Sequence, residues 1–321
     1  DPAVELVTFV ILRNANNVLS VPEGELSLIP FPTQDVLINQ IRTFDLVVFE
    51  EFSYNLYGLM PNVLYAVREK VRDGGSFLIN GGPQAFGPGS PYAIPGIAEM
   101  IPVTFGVPEV TTVREGLSFI PKAENHPVLR LDPNPERSRD LWRRLPALED
   151  VTLVPSAKEG AQVLGAVRKD GREYPVFTVW RHGKGRVAAF TARTTWRWSL
   201  GSASDPQTAG AYQQFWKNAV LWLTRSEDFK QVRVALDGKI ARVGENERLR
   251  VWVFDEYFKP VPDAEVRIQV TEGAAEPVTL TTHAETGGVY SAGFKPAAVG
   301  KIEVVATATR NGRRYGLDKI S

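Results

Sequence analysis

Two segments decide the fold, FDLVVFEEF at positions 44–52 and VRDGGSFLINGGPQAFG at positions 71–87. Each contains a short, continuous apolar run, which is typical of a strand buried on both faces of a parallel sheet. Between them, residues 61–71 carry apolar side chains at helical spacing, with Pro61 near the first turn. Strand, helix and strand in this order predict a right-handed crossover and a parallel sheet.

The flanking sequence extends this pattern into an α/β domain over residues 1–226. Regular elements are expected as strands at 4–12, 162–167, 174–180 and 186–191 and as helices at 33–43 and 207–223. The intervening stretch, about 87–155, is rich in Pro and Gly and weakly periodic, so it is predicted to be an irregular insertion. We therefore predict a flavodoxin-like, mainly parallel sheet with helices on both faces.

The hydrophobic period changes beyond a short polar linker at residues 225–228. Apolar residues now alternate, as in RLRVWVF (248–254), EVRIQV (265–270) and KIEVVATA (301–308). Seven or eight short strands without a helix signal predict a β-sandwich over residues 229–321. The run GVYSAGF (288–294) resembles the late strands of immunoglobulin-like modules on bacterial surface proteins, and another Greek-key sandwich is the alternative. We expect the two domains to fold separately.

The composition excludes several kinds of chemistry. Lys plus Arg and Asp plus Glu both number 37, and this balance disfavours nucleic acid or an anionic membrane surface as a partner. No stretch has the ~20 apolar residues of a membrane helix, so this segment is not expected to insert into a membrane. The chain has no cysteine, which excludes disulfides and thiolate nucleophiles, and its three histidines are far apart in sequence. We predict no metal site and no cofactor.

Polar residues follow the two central strands at the points where they end. Glu50 and Glu51 follow FDLVVF, and Asn80, Gly81 and Gly82 follow SFLI. Ligands of open parallel sheets bind beyond the carboxyl ends of the strands, and glycines there can expose backbone amides as an anion nest or oxyanion hole. A tight turn is the plainer interpretation. Because neighbouring strand residues point to opposite faces, the two glutamates are not expected to face one substrate.

The two central segments resemble a known family. Together with HPVLRL (126–131), LWRRLPAL (141–148), GKGRVAAFTARTTWRWS (183–199) and YQQFWKNAVLWL (212–223), they resemble the amidotransferase-like domain of large membrane-associated bacterial proteins, over roughly residues 5–225. The resemblance implies that this chain is an extracytoplasmic piece, periplasmic or on the cell surface, of a longer and membrane-anchored protein. It also implies protein partners in the cell envelope. A cytoplasmic location stays open.

The resemblance also shows what this chain lacks. Class I amidotransferases place a nucleophilic Cys on a sharp strand-to-helix turn and use a downstream His and Glu. The matching run LINGGPQ (78–84) has Asn80 at the Cys position, and the later match has Thr191 and Arg193 at the His and Glu positions. Glutamine hydrolysis by that mechanism is therefore unavailable, and we predict a non-catalytic chain without catalytic residues. The candidates for a vestigial site are Glu50, Glu51, Asn80, Gly81, Gly82, Gln84, Thr191 and Arg193.

Three functions remain after this comparison, led by a scaffold or interaction region of an envelope protein. A ligand-binding module would hold a small polar or acidic ligand between the Asn80–Gln84 turn and Arg193. A hydrolase of another chemistry would use Glu50 or His126, although a structural role suits His126 better. Trp196 and Trp198, beside Arg193, could form a binding ledge, but a role in closing the core is favoured.

Overall fold

The computed structural model describes residues 5–8, 38–52, 61–132, 134–201, 205–225, 230–237, 242–255, 258–273, 275–285, 287–297 and 299–320. The chain divides into two compact units. The first comprises residues 1–124 and 128–226, and the second comprises residues 125–127 and 227–321. The separate folding of residues 1–226 and 229–321 stays a prediction.

The first unit is built on a mixed sheet. Its strands are β1 (Leu46–Glu50), β2 (Ser76–Asn80), β3 (Thr111–Val113), β4 (Ile120–Pro121), β5 (Val151–Leu153), β6 (Gln162–Lys169), β7 (Arg172–His182) and β8 (Gly185–Phe190). Six of them form one sheet in the order β1-β2-β8-β7-β6-β4, while β3 pairs with β5. β1, β2 and β8 are parallel, and the next three pairings, β8 to β7, β7 to β6 and β6 to β4, are antiparallel. Glu50, Asn80 and Phe190 are in register, so the parallel strands end side by side.

Five α-helices accompany this sheet in the part of the chain that the structure describes. They are α1 (Asn62–Asp73), α2 (Pro83–Phe86), α3 (Pro135–Arg144), α4 (Arg197–Leu200) and α5 (Ala211–Leu223). The predicted helix over 61–71 is α1, whose apolar face of Val63, Leu64, Val67 and Val71 is fully buried. Gly74 ends it with φ of 124°, a conformation that favours glycine. Among the described helices, none is both long enough and apolar enough to span a bilayer.

The ends of the first unit differ from the sequence-based expectation. Of the predicted strand over 4–12, residues 5–8 have no regular structure and the others lie outside the described residues. Of the predicted helix over 33–43, the described part has helical residues at 38–39 and a 3₁₀ turn at Ile41–Thr43. The helix predicted over 207–223 begins only at Ala211, because Gly210 has φ of 82° and interrupts the helical backbone after a 3₁₀ turn at Pro206–Thr208.

The stretch predicted as an irregular insertion contains one regular helix, α3. Asn134 caps it, since its side chain accepts hydrogen bonds from the amides of Glu136 and Arg137, and Pro135 occupies the first turn. The remainder of 87–155 is made of the short strands β3, β4 and β5 and of 3₁₀ turns at Ala98–Met100 and Pro127–Leu129. The expectation of short elements is confirmed, and α3 is an element that the weak periodicity did not locate.

An aromatic cluster fills part of the first unit's core. The Trp198 ring lies 5.6 Å from Trp142 and 5.4 Å from Phe215, both edge to face. Trp198 is 1% exposed, which confirms its predicted role in the core, whereas Trp196 is 50% exposed and does not close the core.

The second unit is an all-β sandwich in its described part. Its strands are β9 (Val232–Leu236), β10 (Glu247–Val253), β11 (Glu265–Glu272), β12 (Val278–Leu280), β13 (His283–Ala284), β14 (Val289–Phe294), β15 (Ile302–Arg310) and β16 (Arg313–Ile320). They form two four-stranded antiparallel sheets, β13-β14-β10-β9 and β12-β11-β15-β16. Val251 and Tyr290 of one sheet and Ile268 and Val304 of the other belong to a single buried core, as a sandwich requires.

Candidate functional site

The carboxyl edge of the parallel strands brings Glu50 and Asn80 together. The Asn80 side chain is 4% exposed, and its Nδ2 donates to Oε1 of Glu50 at 3.3 Å. Its Oδ1 is buried and accepts no hydrogen bond from the described residues. Asn80 does not have a positive φ; at this edge the left-handed residue is Glu51, with φ of 46°. The strained backbone that carries the nucleophile of an elbow is therefore not found at Asn80.

The two glycine amides after β2 are already used. The Gly81 amide donates to the Phe190 carbonyl at 3.0 Å, and the Gly82 amide donates to the carboxylate of Glu51. Of the two interpretations of these glycines, an anion nest and a tight turn, the structure favours the tight turn, because groups of the chain itself accept hydrogen bonds from both amides. We call residues Asn80, Gly81 and Gly82 the elbow turn. The helix that follows, α2, is a single turn.

Glu51 acts as the internal anion of the elbow turn. Its left-handed backbone takes it out of the strand, so it turns towards Gly82 while Glu50 bonds Asn80. Burial raises the pKa of Glu51, and the negative charges of Glu50 and Asp150 raise it further. The Gly82 amide and the positive charge of Arg193 oppose that rise without cancelling it. The carboxylate is thus held at this place by a hydrogen bond and an ion pair against a cost of desolvation.

Arg193 bridges two carboxylates. Its guanidinium lies 3.2 Å from Asp150 and 3.8 Å from Glu51, and its side chain is 41% exposed. A methyl group on Gly82 would lie 2.9 Å from Cδ of Arg193, so the arginine side chain packs directly on the glycine. Of the two neighbouring glutamates, Glu51 is the one that pairs with Arg193. Asp150, which has φ of 48°, was not identified from the sequence.

The other predicted site residues have mixed surroundings. Thr191 is fully buried, and its backbone bonds the Val176 carbonyl and the Thr152 amide, both at 2.8 Å. Gln84 is exposed on α2. Burial, and next the negative charge of Glu50, raise the pKa of the Tyr212 phenol on α5. The edge therefore combines acidic and phenolic groups with one arginine.

His126 has a core environment. It is 1% exposed, it groups with the second unit, and its ring lies 5.4 Å from that of Phe258. This placement favours the structural role over catalysis. Within the described residues there is no group of three or more His, Asp or Glu side chains arranged to hold a metal ion.

Comparison with protein families identifies the first unit. The family model for putative glutamine amidotransferases matches residues 33–225, which is more than half of the chain. No curated protein sequence matches the chain.

Solved structures of similar architecture have low sequence identity. A cytoplasmic protein from Salmonella typhimurium LT2 is 20% identical with a TM-score of 0.46, over 66% of this chain and 87% of that one. The β-galactosidase from Rahnella sp. R3 is 14% identical with a TM-score of 0.39, over 80% of this chain. The β-galactosidase from Bacillus circulans sp. alkalophilus is 10% identical with a TM-score of 0.36. This chain matches 34% of the length of each β-galactosidase.

Proposed function

Because the chain belongs to the family of putative glutamine amidotransferases, we propose that it is a non-catalytic member and serves as a scaffold or interaction region of a bacterial envelope protein. One observation carries the proposal. The amides of Gly81 and Gly82, where an oxyanion hole would be expected, are bonded to the Phe190 carbonyl and the Glu51 carboxylate.

Electrostatics explains why this arrangement suits a structural role. An oxyanion hole works because its donors are aimed at the charge that develops in the transition state. Here the Glu51 carboxylate already accepts the hydrogen bond of the Gly82 amide, and the Arg193 guanidinium lies 3.8 Å from it. Displacing a carboxylate from a charge-assisted hydrogen bond costs about 1.5–3 kcal/mol before any chemistry begins. The chain also has no thiol to act as the nucleophile.

A glutaminase assay tests the proposal. We expect no ammonia release from glutamine above the buffer rate, for the natural chain and for Asn80→Cys. The variant restores a thiol but leaves Thr191 and Arg193 where the family resemblance places His and Glu, and it leaves Glu51 on the Gly82 amide. Ammonia release at enzymatic rates by the natural chain, lost in Asn80→Ala, would show that the chain is an enzyme.

The second candidate function is a ligand-binding module, and the orphan Oδ1 of Asn80 favours it. A buried acceptor without a partner among the described residues would gain from a ligand that donates an N–H or O–H group. An acidic ligand is a poorer fit, because Arg193 is paired with Glu51 and Asp150. Binding of a small amide, such as glutamine, should weaken in Gly81→Val, whose side chain would press on Ala85 and Glu51. Equal affinity in Gly81→Val would exclude this site.

The proposal also assigns an immunoglobulin-like fold to the second unit and an extracytoplasmic location to the protein. Two antiparallel sheets around one core support an immunoglobulin-like module, which would extend an envelope protein towards its partners. The family resemblance supports an extracytoplasmic position in a membrane-anchored protein. A fusion of the full-length protein to alkaline phosphatase should be active, since that reporter works only outside the cytoplasm. A fragment of residues 229–321 should give a folded β spectrum by circular dichroism.

A further inference from the structure

A cavity of ≈ 210 Å³ lies at the other end of the parallel strands from the elbow turn. It is formed where β1 and β2 begin and where α1 and α5 end. Its walls include Arg42, Asp45, Lys70, Gly74, Ser76 and Arg225. All of these belong to the first unit. We call this cavity the basic pocket.

The basic pocket has an excess of positive charge. It is lined by three cations, Arg42, Lys70 and Arg225, and by one acid, Asp45, which gives 3 − 1 = +2. Lys70 is only 5% exposed, its ammonium donates to the Phe44 carbonyl, and burial lowers its pKa against the opposing effect of Asp45. Asp45 is the one carboxylate of the lining, and a bound anion would further stabilise the Lys70 ammonium against this desolvation.

Arg42 and Arg225 add charge that no described residue neutralises through an ion pair. Both are exposed, and neither forms an ion pair or a side-chain hydrogen bond with the described residues. The Arg225 guanidinium reaches over the pocket, because its Nη1 lies 3.9 Å from the point where a side chain on Gly74 would begin. This differs from Arg193, which is held by two carboxylates.

Basic residues near helix ends often serve only to satisfy the last carbonyls. Here other groups satisfy those carbonyls. The Gly75 amide donates to the Lys70 carbonyl at 2.9 Å and the Gly74 amide to Val71 at 3.1 Å. The Ser76 hydroxyl donates to the Leu223 carbonyl at 2.6 Å. Capping of α1 and α5 therefore does not require the guanidinium groups of the pocket.

We propose that the basic pocket binds a small dianion of the phosphate class, either inorganic phosphate or a phosphate monoester. A charge of −2 would balance the lining, and arginine donates in pairs to phosphate oxygens. The cavity volume of ≈ 210 Å³ is enough for a phosphate group and a few further atoms, and the pocket is open to solvent on one side.

Titration of the full chain with inorganic phosphate tests the proposal. At pH 7.5 and low ionic strength we expect saturable shifts of the Gly74 and Gly75 amide signals in nuclear magnetic resonance spectra. Affinity should fall about tenfold or more in the double variant Arg42→Gln/Arg225→Gln, because two charge-assisted contacts are lost. It should also fall with added salt.

The control is Arg137→Gln/Arg143→Gln, which removes two exposed arginines of α3 and should leave the affinity unchanged. If the double variant of the pocket does not fold, each single variant should still weaken binding several-fold. Absence of saturable binding by the natural chain, or equal affinity in Arg42→Gln/Arg225→Gln, would overturn the proposal. Tighter binding of succinate than of phosphate would overturn the phosphate class in favour of a dicarboxylate.

Discussion

The two ends of the parallel strands handle charge in opposite ways. At the elbow turn, Arg193 is shared by Glu51 and Asp150, and Glu51 also occupies an amide that a ligand could use. At the basic pocket, the exposed Arg42 and Arg225 form no ion pair within the described part of the chain. Ligands of open α/β sheets normally bind at the carboxyl end of the strands. In this chain the arginine and the glycine amides of that end bond groups of the chain itself, whereas the two arginines without an ion pair among the described residues lie at the other end.

The largest expected effect is on the free energy of unfolding, and it comes from a difference in packing between the two ends of the parallel strands. A methyl group at Gly185, at the start of β8, would collide with the carbonyl oxygens of Val71 and Gly75, which are backbone atoms and cannot move aside. A methyl group at Gly82 would meet mainly the flexible side chains of Arg193 and Glu51. We expect Gly185→Ala to lower the free energy of unfolding by about 3 kcal/mol or more and Gly82→Ala by about 1 kcal/mol. Urea denaturation of both variants measures the difference.

A larger loss for Gly82→Ala than for Gly185→Ala would mean that the elbow turn is the more rigid end. Gly293 of β14 supplies the control, because it has no left-handed φ and its would-be side chain meets only the Glu247 carbonyl, at 3.9 Å. Its replacement by Ala therefore reports the effect of adding a methyl group to a strand without steric collision.

The next effect concerns the ion pairs. Arg193→Gln leaves Glu51 and Asp150 without their shared cation, and the negative charges that raise the pKa of Glu51 are then opposed only by the Gly82 amide. Because all three side chains are partly exposed, solvent screening limits the loss to about 1 kcal/mol. Thermal unfolding at low and high salt checks this, and the loss should shrink in high salt. If the loss of stability in Arg193→Gln does not depend on salt, Arg193 stabilises the fold through its packing on Gly82 and not through its ion pairs.

A smaller effect is expected in the dependence of stability on pH. The pKa of Glu51 is raised in the folded state, so the folded chain holds its proton more tightly than the unfolded chain. Its contribution is complete below the ordinary pKa of 4.5 and is lost as the pH rises through the raised value. Glu51→Gln cannot ionise, so the variant does not lose this stability as the pH rises. The stability of Glu51→Gln relative to the natural chain should therefore increase as the pH rises from 4 to 7, as measured by urea denaturation.

A relative stability that decreases over this range would mean that the Gly82 amide and Arg193 outweigh burial and lower the pKa of Glu51. Glu159→Gln is the matched control, since it removes an exposed carboxylate that is not among the charges acting on Glu51.

Local patterns were sufficient to predict much of the fold. The apolar runs of β1 and β2, the stripe of α1 and the meander of β6 to β8 are continuous in sequence, and each was located correctly. The helix α3 was missed because only Ser138 and Trp142 are buried along it, so its apolar period is weak. Its real signal was the cap, Asn134 followed by Pro135. The start of α5 was misplaced because Gly210 takes a left-handed conformation that helical spacing cannot reveal.

The site was harder to predict than the fold. The edge could be located, since Glu50 and Asn80 follow buried strands. Asp150 could not be found, because it approaches Arg193 only through the folding of a long and weakly periodic stretch. Alternation along β1 could not reveal the partner of Glu51 either, since Glu51 is left-handed and no longer part of the strand. The basic pocket went unnoticed because Arg42, Lys70 and Arg225 belong to three separate elements.

The smallest expected effect completes the comparison. Arg225→Gln removes a guanidinium that has no ion pair among the described residues, and burial together with the nearby Arg181 lowers the pKa of Arg225. Loss of its charge should therefore change the melting temperature very little, or raise it slightly, while Arg193→Gln lowers it. Glutamine and arginine both tolerate the left-handed φ of 58° equally poorly, so the substitution tests charge rather than backbone. With phosphate present, the melting temperature of the natural chain should rise above that of Arg225→Gln, because a bound ligand stabilises the natural chain but not the variant. Equal destabilisation by Arg225→Gln and Arg193→Gln without ligand would mean that both ends use their arginines for folding.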